Sequence, residues 1–295
     1  MLQYFSVIDM EITVYANAKI NFSLDITSVL PNGYHALDTV MQSVTLHDTV
    51  TVTTGEPGLT LACDAPGVPT DDRNTAMKAA RLFYEAAGLV PAAAIQIEKR
   101  IPSEAGLGGG SADAAAALRA LNQIYGCPLP ESELLTLAAR VGADVPFCLT
   151  GGTALCKNVG EVMAPLPAIR SYVVIAKPAA GVSTAAAYRR FDAGEALPHP
   201  ENDKVLFYLA RGEAAAAARY AGNVFRTLAP LPDYDDLIGR LRRSGAYHAE
   251  VSGSGSAVFG LFADQAEAEL ACDALREQVP FCVLCETADT GTEIK

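Results

Sequence analysis

The chain has 295 residues, half of them hydrophobic, and a formal net charge of −12. That length holds two ordinary domains or one large one with a well-buried core, and it argues against disorder. The acidic balance excludes the basic footprint of a nucleic-acid partner, and no apolar run approaches the roughly 20 residues of a membrane helix, so the expectation is a soluble, cytoplasmic protein with neither partner.

Met1 to Met10 lack the basic start and small-residue cleavage site of a signal peptide. The first clear strand runs from Thr13 to Ile26, where Val14, Ala16, Ala18, Ile20, Phe22, Leu24 and Ile26 alternate with Asn17, Lys19, Asn21, Ser23 and Asp25. Lys19 and Asn21 share one face, the face that such a strand normally turns to water. Beyond the turn-rich Pro31-Asn32-Gly33, Tyr34-His35 lead to a second strand region from Val40 to Val52. Asn74 stands where a helix N-cap belongs; Ala76, Ala79, Ala80, Phe83 and Ala87 keep helical spacing as far as Gly88, placed as a C-cap. Ile95, Ile97 and Ile101 mark a strand that ends at Pro102 and feeds Gly106-Leu107-Gly108-Gly109-Gly110-Ser111. From Ser111 the period becomes helical, with Ala114, Ala117, Leu118, Leu121, Ile124 and Tyr125 in one stripe that stops at Gly126. A helix from Glu131 to Val141 follows, then Gly142-Ala143-Asp144-Val145-Pro146-Phe147 and a strand from Thr153 to Cys156.

The two prolines of Met163 to Pro167 mark a domain boundary, because a fresh buried strand begins at Tyr172. The division is therefore 1–165 and 166–295. In the second part the spacing predicts helices at 183–191, 202–210, 213–228 and 233–244, a strand from Ala257 to Phe262, a helix at 264–278 and a strand from Phe281 to Glu286. This order gives an α+β domain of split βαβ character. The seven cysteines are scattered, and Cys282 and Cys285, the one close pair, lie in an apolar stretch without a second such pair or a nearby histidine, so they read as reduced core thiols.

The glycine loop between a strand and a helix is the strongest chemical signal. Gly106, Gly108, Gly109 and Gly110 let backbone approach an anion closely, and a helix N-terminus presents amides to it. The loop lacks the Gly-Lys-Ser/Thr ending of a Walker loop and the later acidic residue of a dinucleotide fingerprint. Asp144 is readable as a helix N-cap or as a carboxylate that takes a proton from a hydroxyl. Lys19 is readable as a solvated strand lysine or as a cation stabilising a transferring phosphoryl group. Tyr34-His35 fits either a surface turn or a nucleobase contact. Ser252-Gly253-Ser254-Gly255-Ser256 fits either a strand-entry turn or a second functional loop.

Taken in order over nearly the whole chain, Ala18-Lys19-Ile20-Asn21, Gly33-Tyr34-His35, Pro102 to Ala112, Gly142 to Phe147 and Ser252 to Gly255 resemble the GHMP kinase superfamily. Gly33-Tyr34-His35 with Gly-Ala-Asp-Val-Pro resembles the branch whose acceptor is a cytidine diphosphate-linked methylerythritol. The resemblance implies a two-domain α+β fold, with an N-terminal ribosomal-protein-S5-like domain and a C-terminal ferredoxin-like domain. It implies ATP with Mg2+, a small-molecule substrate and transfer of the γ-phosphate to the 2-hydroxyl of 4-diphosphocytidyl-2-C-methyl-D-erythritol, in non-mevalonate isoprenoid biosynthesis. Other members act on homoserine or mevalonate, which carry no base to stack; a non-catalytic binding relative is the remaining alternative.

Residue by residue, the resemblance makes Asp144 the general base and Lys19 its charge-stabilising neighbour. Asn21 would line the acceptor pocket, while Tyr34, His35 and Tyr188 would read the cytosine. Pro102, Ser103, Glu104, Ala105, Gly106, Leu107, Gly108, Gly109, Gly110, Ser111 and Ala112 would wrap the ATP phosphates, with Asn74 and Lys99 near the base and ribose. It names no magnesium ligand and leaves oligomeric state open. Asn17 and Ser256 stand where the family often has proline. Residues before Glu11 extend beyond the family's usual start, with Met10 as an alternative initiator.

Overall fold

The computed structural model describes residues 10–295; Met1 to Asp9, and with them most of the stretch ahead of the family's usual start, lie outside the described residues. The chain first builds β1 (Glu11–Val29), β2 (His35–Thr54), β3 (Gly58–Cys63), α1 (Thr75–Ala87), β4 (Ala92–Glu98), α2 (Gly109–Ile124), α3 (Glu131–Val141), α4 (Val145–Thr150), β5 (Thr153–Asn158) and β6 (Val162–Pro165). It continues with β7 (Tyr172–Lys177), α5 (Thr184–Asp192), α6 (Asn202–Leu209), α7 (Ala214–Ala217), α8 (Phe225–Leu228) and α9 (Asp233–Arg243). Last come β8 (His248–Val251), β9 (Val258–Phe262), α10 (Gln265–Arg276), β10 (Phe281–Glu286) and β11 (Thr292–Ile294).

The first sheet is ordered β11-β1-β2-β4-β3, and β5 and β6 continue from β2. Because β2 is long, it serves two strands on the edge away from β1. Its first part pairs with β5, from Leu37↔Asn158 to Gln42↔Thr153, and its last part with β4, from Thr49↔Glu98 to Thr54↔Ala93. The turn chemistry read from the sequence closes α1 at both ends: Asn74 Oδ1 accepts the Ala76 N–H at 2.8 Å, and Gly88 is left-handed at φ 66°.

The second sheet is antiparallel throughout, in the order β10-β7-β9-β8. Alternate residues of β7 enter different cores. Val173 and Ile175 join the large cluster that contains β1 and α2, whereas Val174 and Ala176 pack with Leu237, Leu241 and Leu275 of α9 and α10. Burial on both faces is why this strand reads as a continuous apolar run. The same burial applies to β1, where every residue from Ala16 to Leu24 is buried, so the face carrying Lys19 and Asn21 is covered rather than wet.

The helix expected at 213–228 is broken. At Gly222 and Asn223 the chain runs extended beside β1, with the Leu24 N–H donating to Gly222 O at 2.8 Å and the Val224 N–H to Leu24 O at 3.2 Å. This tertiary pairing outweighs the helical propensity of the alanine run, which survives only as the single turn α7. The spacing also missed β3, β6, β8 and β11, and β6 lies on the stretch read as the domain boundary. Pairing of β11 with β1, from Val14↔Ile294 to Ala16↔Thr292, returns the last residues to the first sheet across the cut near 165. Asn17 secures this return. Its N–H donates to Gly291 O and its Nδ2 to Thr290 O, both at 2.9 Å, and a proline there would lose both bonds.

Candidate active site

The glycine segment leaves β4 and enters α2, and it is held from two sides. Gly108 is the N-cap of α2 at φ 73°, and no side chain caps the helix start, so the amides of its first turn are open to an anion. Ala105, Leu107 and Ala112 are buried in the core. The loop backbone from Pro102 to Gly110 lines a cleft of about 290 Å³ together with Asn74, Thr75, Lys99 and Asp113. Glycine is required at two positions by close approach. A Cβ on Gly106 would stand 2.0 Å from Ser252 O, and one on Gly108 would stand 3.0 Å from Lys19 Cγ.

Those contacts bring three sequence motifs together. Ser252 Oγ donates to Gly106 O at 3.0 Å, which clamps the second glycine loop onto the first. The Lys19 N–H donates to Leu107 O at 3.0 Å, which fixes β1 beside the loop. Lys19 Nζ then lies 3.4 Å from Asp144 Oδ2. Asp144 does occupy the N-cap position of α4, but its side chain makes no capping bond there. A carboxylate released from that duty is free to face Lys19. Burial, with the charge of Asp144 adding to it, pushes the Tyr188 hydroxyl up to about 12 and raises the Cys148 thiol.

Asn21 is tied into the fold beside Lys19. It is fully buried, its Oδ1 accepts from Lys19 Nζ at 2.8 Å and from the Gly253 N–H at 2.9 Å, and its Nδ2 donates to Thr39 Oγ1 at 2.9 Å. It therefore aims Lys19, and one of its two Nδ2 hydrogens is left over after the bond to Thr39. The aromatic residues also divide. Tyr34 stands 64% exposed on the turn, while His35 is mostly covered, bonded to Asp192 Oδ1 at 2.8 Å and stacked on Tyr188 at 4.3 Å.

Asn74 and Lys99 both line the cleft, yet both are engaged. Asn74 spends its carbonyl on the cap and its Nδ2 on Pro69 O at 2.7 Å. Lys99 Nζ donates to Asp48 Oδ2 at 2.5 Å and to Asp113 Oδ2 at 2.6 Å. Sequence reasoning passed over Asp48 and Asn223. Asp48 had a visible signal, because it falls on the buried parity of Val44, Leu46, Val50 and Val52. Asn223 had none; its Nδ2 bonds to Val251 O and Gly253 O, both at 2.8 Å, depend on tertiary placement.

Residues 74–152 match the family model for the GHMP kinases N terminal domain, and residues 208–280 match that for the GHMP kinases C terminal. The chain belongs to the GHMP kinase family. GHMP kinases are small-molecule kinases that use ATP as phosphate donor, and the chain is such an enzyme. Among GHMP kinases it is 38% identical to the 4-diphosphocytidyl-2-C-methyl-D-erythritol kinase of Clostridium botulinum (strain Eklund 17B / Type B), over 90% of this chain and 96% of that one. It is 37% identical to the same-named protein of Acetivibrio thermocellus, over 94% of this chain and 99% of the other. A crystal structure of a 4-(cytidine 5'-diphospho)-2C-methyl-D-erythritol kinase superposes with a TM-score of 0.78 at 35% identity, covering 95% of this chain and 99% of that one. A homoserine kinase from Cytophaga hutchinsonii gives the same TM-score at 21% identity, covering 99% of this chain and 100% of its own, and so shares the fold.

Proposed function

We propose that this GHMP kinase transfers the γ-phosphoryl group of ATP to the 2-hydroxyl of 4-diphosphocytidyl-2-C-methyl-D-erythritol, serving isoprenoid precursor synthesis by the non-mevalonate route. The observation that carries the chemistry is the Lys19–Asp144 pair at 3.4 Å, beside a loop whose glycines bring Lys19 against the start of α2. The choice of acceptor rests on relatives at 35–38% identity over nine-tenths of the chain and on the Tyr34, His35 and Tyr188 group.

In this reading the cleft holds the triphosphate on the backbone amides at the start of α2. Asp144 accepts the proton of the acceptor hydroxyl as its oxygen bonds to the γ-phosphorus, the bond from that phosphorus to the β–γ bridging oxygen breaks, and ADP leaves. Lys19, fixed by Asn21, lowers the energy of the charge that develops. Among the described residues no three His, Cys, Asp or Glu side chains gather to hold a metal ion. Glu104, the loop's own carboxylate, lines the cleft and would help to hold Mg2+ brought with the nucleotide, where the ion would neutralise phosphate charge. The work divides between a part up to 165, holding loop and catalytic pair, and a part from 166, supplying Tyr188 and the clamp of Ser252 to Ser256.

A coupled ADP-release assay with the cytidylylated alcohol, homoserine and mevalonate tests the proposal. Turnover restricted to the cytidylylated alcohol and competition by CMP are expected. Turnover of homoserine or mevalonate with indifference to CMP would reject this acceptor.

A further inference from the structure

Behind the phosphate loop, one lysine bridges two carboxylates from different elements. The Lys99, Asp48 and Asp113 side chains are only 10%, 0% and 4% exposed. Asp48, on β2, uses both oxygens. Oδ1 accepts the N–H groups of Arg100 at 2.5 Å and Ile101 at 2.8 Å, and Oδ2 accepts from Lys99 Nζ. Lys99 passes the link to Asp113, in the second turn of α2. The loop's entry and its exit are thus both tied to a central strand of the first sheet.

Such a cluster is a poor stability device. Three charges lose their hydration, and two of them repel. The strain is visible at Asp113, whose Oδ1 is buried without a hydrogen-bond partner and whose carboxyl is pushed up to about 7 by burial, with the charge of Asp48 adding to it and Lys99 opposing. A geometric return is what the arrangement offers. Between the two ties the loop is held at Gly106 by Ser252 and at Leu107 by Lys19, and the ties fix its entry and its exit, so they help to set where the amides of α2 stand.

We propose that Asp48 is a positioning residue for phosphoryl transfer, which sets the phosphate loop by holding Arg100 and Ile101 at its entry and, through Lys99, Asp113 at its exit. This rests on the reading that Pro102 to Ala112 hold the ATP phosphates. Lys99 commits two of its three donors to the carboxylates and so acts through the loop.

The test measures the ATP dissociation constant by calorimetry, with KM for ATP and for the alcohol, in wild type, Asp48→Asn, Lys99→Met, the double variant and Asp113→Ala, each shown folded by circular dichroism. Asp48→Asn keeps an oxygen for the two amides and loses the ionic link. It should weaken ATP binding about tenfold, the ordinary scale of one charged hydrogen bond, with the KM for the alcohol changed less than about twofold. The double variant should be no weaker than the worse single variant, because both cut one link. Should Asp48→Asn fail to fold, Asp113→Ala, which cuts only the exit tie, carries the same tenfold expectation. Unchanged ATP binding in a folded variant, even with a lowered melting temperature, overturns the inference, as do multiplicative effects that make Lys99 an independent nucleotide contact. Wild type that binds ATP beside unaffected variants refutes this inference alone; wild type that binds no ATP refutes the ATP-loop reading and the inference with it.

Discussion

Lys19 Nζ and Asp144 Oδ2 face each other at 3.4 Å, with the lysine side chain 5% exposed and the carboxylate 30%. The asymmetry suits a division of labour. The cation is built into the wall of the site, and the carboxylate stays open to an incoming hydroxyl. A buried ammonium needs partners, and Asn21 Oδ1 supplies one at 2.8 Å.

Replacing Asn21 by alanine removes that aim and the bond to the Gly253 N–H. The expected result is a fall in kcat of about a hundredfold, the scale of a small misplacement of a reacting group, with KM for ATP within a few-fold of wild type. Steady-state kinetics on folded protein checks this. An unchanged kcat would mean that Lys19 holds its place without Asn21.

Gly106 and Gly126 make a matched pair, at φ 74° and 73°. Alanine at Gly126 meets nothing within 4 Å and should cost only the left-handed strain, about 1–2 kcal/mol. Alanine at Gly106 adds a collision with Ser252 O. It should lower the melting temperature further and weaken ATP binding, since the two glycine loops must part. Equal melting temperatures for the two variants would contradict the close packing of those loops.

His35→Ala removes the ring stacked on Tyr188. The KM for the cytidylylated alcohol should rise about tenfold or more, as loss of one base–aromatic contact does, while KM for ATP stays put. A rise in the ATP term alone would place the nucleoside of ATP, rather than the acceptor's cytosine, at His35.

His248 is buried between β8 and β1, where Nε2 bonds to Phe22 O at 2.8 Å, and burial lowers its pKa from 6.5 to about 4. The folded state keeps the ring neutral while the unfolded chain takes up a proton, so this residue's contribution is present above about 6.5 and is lost as pH falls towards about 4. Melting temperatures from pH 7 to pH 4 should drop less in His248→Gln, which retains a donor for Phe22 O. Parallel curves for the two proteins would remove His248 from the acid response.

The alternating strands, the capped helix α1 and the glycine loop were legible because each is local: period, cap and turn residues suffice. The resemblance supplied Lys19 and Asp144, but not their surroundings. That Asn21 bonds to Lys19, Gly253 and Thr39 depends in part on a loop more than 230 residues further along the chain. The broken helix at 222–223 fails for the same reason, since the pairing with Leu24 is written in no local pattern. Asp48 was the readable omission, a carboxylate at core parity among the apolar Val44, Leu46, Val50 and Val52.

The central claim is that Asp144 takes the proton from the acceptor. Single-turnover phosphoryl transfer by Asp144→Asn, with ATP affinity measured on the same preparation, tests it most directly. The expected outcome is ATP binding within about twofold of wild type and a transfer rate lower by about two to four orders of magnitude. A rate within a few-fold of wild type in the folded variant would contradict it.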